Sequence, residues 1–520
     1  MQERTTTQPY CEQHKSYLAD RFVEGECPLC GYNDARGDQC DKCGKLLDPL
    51  DLKNPRCKLD GAAPVPRETK HVFLELDKLQ PEIEKFFEES SKSGAWSSNG
   101  KEITQAWLKE GLKPRGITRD LKWGTAVPLP GYEDKVIYVW FDACIGYVSI
   151  TANYTDEWEK WWRDPENVKL YQFMGKDNVP FHTVVFPGSQ IGTHDTWTKL
   201  HHLSTTEYLN YENGKFSKSR GIGVFGDSAK KTGISSDVWR YYLLSHRPET
   251  GDTEFVWSQF IDANNNVLLK NLGNFVNRVI KFVNAKYDAN TLPDYTQYTE
   301  PGFDAWKAEV NRLLERYNAE LEAVKLRAAL VTVLHLSDQG NLLLQSNTLD
   351  NKLLESNPQK CAAVVGLAAN LCHLLAAVAE PYMPETAASI NTQLNAGPLV
   401  IPDAWSAASI SPGHHLGKAA YLFSQIKPEK ETEWREMFGG EEARKAKEEA
   451  ARKKAANRAA KLAKKEKKAS AATGEKGEGD AKPSVENVEK GGAQALTEPP
   501  KESGVDEVTE GVHQAALQPS

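Results

Sequence analysis

Asn213-Gly214-Lys215-Phe216-Ser217-Lys218-Ser219-Arg220 sets two lysines and two serine hydroxyls directly behind an Asn-Gly pair. Asn-Gly after the β-rich run Thr206-Glu207-Tyr208-Leu209-Asn210-Tyr211 predicts a tight turn feeding a short basic loop. Two ammonium groups on such a loop suit a polyphosphate whose charge grows as a leaving group departs, although a basic loop of this length also reads as a solvated turn. The upstream residues decide between the two. Val136-Ile-Tyr-Val-Trp-Phe141 ends at Asp142, and Leu170-Tyr-Gln-Phe-Met174 runs into Gly175-Lys176-Asp177. Both are continuous apolar, β-branched or aromatic runs, which predicts strands buried on both faces of a parallel sheet. With helical segments between and after them, the expected fold is α/β, an open sheet whose ligands bind beyond the carboxyl ends of its strands. Trp140, Asp142, Asp177 and the lysine loop would gather at that edge.

Six of the nine cysteines fall before residue 60. Met1 to Asp20 has no apolar central region of the kind a secretory leader carries, so the clustering favours metal over disulfides. Cys27-Pro-Leu-Cys30-Gly31 and Cys40-Asp-Lys-Cys43-Gly44 form C-x2-C-x9-C-x2-C, with a glycine after each pair permitting a tight turn around a thiolate. That spacing can set four sulfurs tetrahedrally about one Zn(II), which with no open coordination position would hold the fold and not catalyse. One tightly bound zinc is expected, and Cys40→Ser should unfold this segment. A poorer set surrounds the knuckle: Cys11-x2-His14 and Cys57-x2-Asp60. His and Asp can ligate zinc, but the mixture is unusual and Asp60-Gly61 also reads as an ordinary turn.

At 520 residues and 40% hydrophobic content the chain has room for several domains with real cores. A net charge of -8 argues against a uniformly basic nucleic-acid binder, so any such contact must be local. Between Arg67 and Gly116, Phe73, Leu76, Leu79, Ile83 and Phe86/Phe87 recur at helical steps, followed by Ile103, Trp107 and Leu108; this reads as scaffold without chemistry. After Trp257 the pattern is helical throughout. Leu272, Phe275, Val276, Val279 and Val283 form an apolar face, while Asn266 and Lys270, four residues apart, share another. Further helices are expected around Ala305 to Leu336 and Pro358 to Ala379. The longest apolar run, Cys361 to Ala379, contains Asn370 and His373 and reads as a buried bundle helix, so no membrane span or membrane partner is expected. Glu441 to Ser470, with twelve basic and five acidic residues, reads as a solvated helix able to hold nucleic-acid phosphates or simply to solubilise. Ser484 to Ser520 is low-complexity and expected to be disordered.

Ile117-Thr-Arg-Asp-Leu-Lys-Trp-Gly124, Tyr138-Val-Trp-Phe-Asp-Ala-Cys-Ile-Gly-Tyr147, Phe173-Met-Gly-Lys-Asp-Asn-Val-Pro-Phe-His182 and the Lys-Phe-Ser-Lys-Ser loop together resemble methionyl-tRNA synthetases of the eukaryotic cytosolic, fungal type. The resemblance spans roughly residues 1 to 427, with Phe216 where the family's loop has Met. It implies a class I synthetase with a Rossmann-like nucleotide-binding fold, a zinc-knuckle insertion and an α-helical anticodon-binding bundle, acting in the cytoplasm. By that resemblance Trp140, Tyr147 and His182 form the methionine pocket and Arg119 orients the amino acid. Asp177, Lys215, Ser217 and Lys218 contact ATP, with Lys215 and Lys218 serving catalysis and Mg(II) accompanying the nucleotide. Asn266 and Lys270 read the anticodon of methionine tRNA, Lys standing where Arg is more usual. Leu349-Asp350 stands where many members carry Pro-Trp for anticodon stacking. The zinc falls to Cys27, Cys30, Cys40 and Cys43; partners in a synthetase complex are not legible.

The expected division is 1–66 for the knuckle and 67–132 for the rest of the insertion. Residues 133–255 follow as the C-terminal half of the catalytic domain, 256–427 as the anticodon domain and 428–520 as a charged tail. The reaction implied is attack of the methionine carboxylate on the α-phosphorus of ATP, then acyl transfer to tRNA. One departure stands against it. The family's His-Ile-Gly-His signature belongs upstream of the knuckle, and His414-His415-Leu416-Gly417, which superficially imitates it, lies past the helical bundle and reads as a connector. The catalytic half is therefore expected to be N-terminally incomplete, the chain as written to lack detectable methionine activation, and its sheet to expose an unpaired edge. The alternative is a non-catalytic tRNA-binding fragment or paralogue.

Overall fold

Gln2–Cys11 runs antiparallel to Val65–Leu74, in register from Gln2 opposite Phe73 to Tyr10 opposite Val65. In this computed structural model the described residues are 1–440, except 38, 39, 41, 44–46, 122 and 219, together with 452. The expected basic helix apart from Arg452, the low-complexity tail and Ser219 lie outside them. Ser16–Tyr17 and Arg115–Gly116 flank the ribbon to complete a four-stranded sheet. Phe73, which the periodicity assigns to the next helix, closes the Val65–Leu74 strand; the helix starts at Leu76.

A small lobe hangs from the ribbon, built on strands Ala35–Arg36, Val23–Glu26 and Lys53–Cys57. Its buried interior is Leu18, Val23, Ala35 and Leu52 with four cysteines. So small an apolar core calls for a covalent or metal staple.

Helix Leu76–Ser93 buries Leu76, Ile83, Phe86 and Phe87, the stripe that its periodicity predicts. Each such side chain contributes about 1.5–3 kcal/mol on full burial. The helix packs near a parallel pair, Leu170–Gly175 with Leu200–Thr206, and Ser90 Oγ donates to Leu200 O at 2.5 Å. The crossover between those strands runs through a π-helical turn, Phe181–Val185, and helix Phe186–Ile191. Two expectations are corrected here. Leu170–Gly175 is not buried on both faces: it pairs on one side only among the described strands, and Tyr171 and Phe173 are exposed. Nor does Val136 to Phe141 form a long strand. Only Val136–Ile137 is extended, antiparallel to Thr118–Arg119, and helix Val139–Tyr154 begins two residues later. A short apolar run fits either conformation by pattern alone, and here Trp140, Cys144 and Val148 recur every four residues toward one core. The unpaired strand edge expected at Val136 to Phe141 is not formed there, because most of that run is helical.

A second parallel pair, Leu209–Tyr211 with Thr253–Phe255, leads into the helical bundle. Pro301–Glu322, Leu326–Ser346 and Pro358–Ala379 are its long helices, the first two lying across the region expected to be helical around Ala305 to Leu336. Pro358–Ala379 is long and apolar enough to cross a membrane, yet its apolar window is wholly buried inside the bundle. Asn370 within it is satisfied: Nδ2 donates to Gly366 O, and Oδ1 accepts from Ile410 N at 2.8 Å, fastening the returning chain. His414 to Gly417 continues that return as a connector, with Leu416 buried and Gly417 N bonded to Gln393 O.

Candidate functional site

Trp140 and Tyr147 project from one side of helix Val139–Tyr154 toward the Phe181–Val185 turn. Trp140 meets Phe181 edge-on at 6.0 Å, and Tyr147 Oη lies 2.6 Å from His182 Nε2. His182 Nδ1 lies 2.8 Å from Asn178 O, which can only accept. The ring proton therefore sits on Nδ1, and Tyr147 donates to Nε2. Burial pushes the His182 pKa down and the Tyr147 pKa up, so both groups are neutral at physiological pH. The polar tips of this wall thus meet each other, leaving ring faces and the Tyr147 oxygen lone pairs for a ligand.

Arg119 stands further back. Its guanidinium stacks on Tyr138 at 3.8 Å, and Tyr138 stacks on Trp140 at 6.2 Å. Arg119 donates to Gly116 O and Thr118 O and lines a cavity of about 300 Å³ with His71, Phe73 and Asp20. Burial lowers its pKa, but no physiological pH neutralises a guanidinium. Arg115, which sequence reasoning passed over, lies nearer the wall: its guanidinium sits 4.0 Å over the Trp140 ring, and its buried Nε has no partner among the described residues.

Asp177 follows the carboxyl end of Leu170–Gly175, as expected, and its two oxygens accept from Tyr208 Oη at 2.8 and 2.7 Å. That carboxylate raises the Tyr208 pKa. Beside them Lys176 donates to Glu207 at 2.5 Å and Asp252 at 3.3 Å, and its ammonium lies 4.1 Å over the Tyr208 ring. Tyr208 also escaped sequence reasoning. It immediately precedes Leu209–Tyr211, the strand that feeds the lysine loop, so one hydrogen bond couples that strand to Asp177.

The predicted turn is present one residue earlier than Asn-Gly implies. Tyr211 and Gly214 exchange both backbone bonds, and the two central residues, Glu212 and Asn213, have φ of 46° and 67°. This is the mirror-image turn that matches strand twist. The loop is then closed by Ser217 N to Ile222 O at 2.8 Å and Ile222 N to Ser217 O at 2.9 Å. Phe216 tucks between Tyr211 and Phe225, with ring centroids 5.3 and 5.7 Å away, while Lys215 and Lys218 are exposed. An apolar anchor thus holds a loop whose cations face outward.

In the bundle Asn266 and Lys270 share a face of the π-helical stretch Ala263–Gly273. Lys270 Nζ donates to Asn266 Oδ1 at 2.5 Å, and Asn266 Nδ2 donates to Asp262. They line a groove of about 290 Å³ with Ser258, Leu269 and Gln425. Asn264 and Asn265 instead bind the backbone of Ser424 and Ile426, strapping the returning chain beside that groove. Leu349-Asp350 has a plain structural use: Asp350 Oδ1 accepts from Leu353 N, capping helix Asn351–Ser356.

The four knuckle thiols lie together, with their sulfurs within 4.8 Å of one another, Cys27 to Cys43 at 4.0 Å and Cys30 to Cys40 at 3.6 Å. All are reduced, and the donor set fits a tetrahedral zinc.

Residues 1–280 match the family model described as tRNA synthetases class I (M), and residues 292–443 match the anticodon binding domain of methionyl tRNA ligase. The chain belongs to the class I tRNA synthetases (M). A Schizosaccharomyces pombe protein is 60% identical over 442 residues, covering 84% of this chain and 56% of that protein. The methionine–tRNA ligase, cytoplasmic, of Saccharomyces cerevisiae is 57% identical, covering 85% of this chain and 59% of its own length. The human protein of the same name is 48% identical, with 85% and 49% covered. The chain therefore spans about half the length of the curated relatives it matches. Mycobacterium tuberculosis methionyl-tRNA synthetase bound by methionyl-adenylate has the same fold, with a TM-score of 0.63 at 18% identity, covering 81% of this chain and 77% of that one. The α/β class with a helical anticodon domain is thereby the fold of this chain.

Proposed function

We propose that this chain contributes the methionine wall, the lysine loop and the anticodon groove of a cytoplasmic methionine–tRNA ligase. The observation that carries the reading is the Asp177–Tyr208 bond. It fixes an acid at the carboxyl end of one parallel strand against the strand that delivers Lys215 and Lys218. Trp140, Tyr147 and His182 offer an aromatic wall to a thioether, a weak acceptor that packs well against rings. Attack of the methionine carboxylate on the α-phosphorus of ATP expels pyrophosphate, and Lys218, with Lys215 and Ser217 beside it, stabilises the growing charge. Mg(II) bound with the nucleotide would supply charge neutralisation. Holding the reactants in line is the other large contribution. Acyl transfer to the 3′ end of methionine tRNA follows, with Asn266 and Lys270 at the anticodon. Cys27, Cys30, Cys40 and Cys43 would hold one structural zinc. The divisions near residues 66, 132 and 255 are part of this reading, whereas the boundary expected at 427 moves outward, because Trp434 and Phe438 of helix Glu429–Phe438 are buried in the bundle core.

Methionine-dependent ATP–pyrophosphate exchange, measured on the protein as isolated from its source, tests the proposal. Lys218→Ala should lower the rate on the order of 100- to 1,000-fold, the usual loss for one charge-stabilising group, with little change in methionine binding. Unchanged exchange in that variant would remove the loop from the chemistry.

A further inference from the structure

We infer that His71 is a positioning residue for Arg119 and, through the hairpin that carries Arg119, for the aromatic wall. His71 lies on the Val65–Leu74 strand, in the stretch that sequence periodicity assigns to scaffold, and its side chain is 2% exposed. Its two ring nitrogens meet the two residues that flank Arg119 in the chain. Nδ1 is 2.8 Å from Thr118 Oγ1, and Nε2 is 3.0 Å from Asp120 Oδ2. Although burial works against it, hydrogen bonds from His71, Lys135 and Thr69 lower the Asp120 pKa, so this group is a carboxylate at physiological pH. A carboxylate can only accept, so Nε2 carries a hydrogen and donates it to Asp120. One imidazole thus grips the segment immediately before and immediately after the residue that bears the guanidinium.

The grip extends to the other strand of the hairpin. Lys135, 8% exposed, donates through Nζ to Thr69 Oγ1 at 2.8 Å and also to Asp120. Thr69 Oγ1 in turn donates to Asp120 Oδ2 at 2.9 Å. Lys135 immediately precedes Val136, which pairs with Arg119 across the hairpin. Tyr138, the ring on which the guanidinium stacks, comes two residues later, and Trp140 follows in the first turn of its helix. The backbone repeats the connection: Ile117 N donates to Val72 O and Tyr138 N to Ile117 O, both at 2.8 Å. Arg119 itself directs two bonds to this segment, at Gly116 O and Thr118 O.

Burial makes the arrangement exacting. Away from water each of these polar groups requires its partner, so the hairpin is held in the one placement against the ribbon that satisfies all of them. A cluster that only stabilised the sheet could be replaced by apolar side chains of similar volume. His71 differs in that its two shortest bonds fall on both neighbours of Arg119; its third contact, to Gln8 Nε2, is longer at 3.3 Å. For its consequence in catalysis the inference rests on the ligase reading, since Arg119 is the residue expected to orient the amino acid. The placement of Arg119 by His71 holds without that reading.

The test uses the protein as isolated from its source, with His71→Leu and His71→Gln made in it. Phenylglyoxal labelling of Arg119, followed by peptide mass spectrometry, reads the placement directly. His71→Leu should accelerate labelling about 10-fold or more, as expected for loss of a hydrogen bond to a charged group. His71→Gln, which keeps a donor for Asp120, should restore most of the protection. Val72→Ala, buried one residue along the same strand, is the control for plain destabilisation and should leave labelling unchanged. In methionine-dependent exchange His71→Leu should raise KM for methionine about 10-fold with kcat within about 2-fold, the pattern for an interaction made equally in ground and transition states. In an Arg119→Lys background the same substitution should add little, because residues that act through one another are not additive. Equal labelling in wild type and His71→Leu, the same acceleration in Val72→Ala, or additive effects of His71→Leu and Arg119→Lys would each overturn the inference. Absence of methionine-dependent exchange in the wild type would instead sink the ligase reading, and the labelling result would still decide the placement of Arg119.

Discussion

Gly223 decides where Phe216 can sit. Its φ is 106°, and a Cβ there would lie 2.2 Å from Phe216 Cδ1, so any side chain would both strain the backbone and displace the ring that anchors the lysine loop. The loop's order thus depends on one residue lacking a side chain. Asn266 and Lys270 are ordered differently, by their mutual hydrogen bond and the Asp262 contact, which hold both side chains ready at the groove. On the anticodon role proposed for the pair, lysine offers a point charge where arginine would offer a fork, so base discrimination should rest mainly on Asn266. Replacing both with Ala is expected to weaken binding of methionine tRNA by about 1–3 kcal/mol for each base no longer read. Binding of the same tRNA with a changed anticodon should barely shift. Titrations of both RNAs at fixed salt check this, and equal weakening would mean that the pair touches only the backbone.

At the scale of elements, helix Glu429–Phe438 matters most to the lysine loop. It begins one residue beyond the composition shift at Pro428, yet Trp434 and Phe438 are buried against Trp257, with ring centroids 5.0 and 5.6 Å away. From its C-terminus Phe438 O accepts from Gly223 N at 2.8 Å, Gly439 bridges Ile222, and Arg435 pairs with Glu212 in the turn. The helix therefore clasps the loop at both ends of its hairpin. Truncating a buried tryptophan costs about 3–5 kcal/mol. Trp434→Ala should destabilise the protein by that order and should raise amide exchange over residues 215–223 more than in the Pro358–Ala379 helix. Equal protection of the loop in both proteins would show that the helix is a passenger.

Across the whole molecule, five histidines, His182, His201, His202, His246 and His373, have pKa values pushed down by burial. Their folded values lie below the unfolded value of about 6.5, so the unfolded chain takes up protons first as pH falls. Stability is then fully present above about pH 6.5 and is lost progressively below it, toward the folded pKa values. Denaturant midpoints measured at about pH 7.5 and about pH 5.5 should fall at the lower pH. A midpoint independent of pH in that interval would mean that these rings are hydrated or that compensating groups titrate with them. These five rings are spread from the parallel strands to the bundle, so the loss should be global and not confined to one lobe.

Sequence by itself determined the features whose partners lie within one turn or one repeat. The C-x2-C pairs, the 3.6-residue apolar stripes of the bundle helices and the Asn-Gly turn are short-range patterns, and local geometry suffices to read them. Even there the turn sits one residue off, because Glu212 and Asn213 accept positive φ and leave Gly214 to pair. Tertiary structure alone decided the rest. The run from Val136 to Phe141 satisfies strand and helix equally, and only the position of the Phe181–Val185 turn, with its waiting aromatic surface, selects the helix that carries Trp140 and Tyr147. The bonds between Tyr208 and Asp177 and between Gly223 and Phe438, and the meeting of Cys11 and His14 with Cys57 and Asp60, join residues far apart in sequence. No local preference encodes such meetings; they follow from which surfaces the chain must bury together.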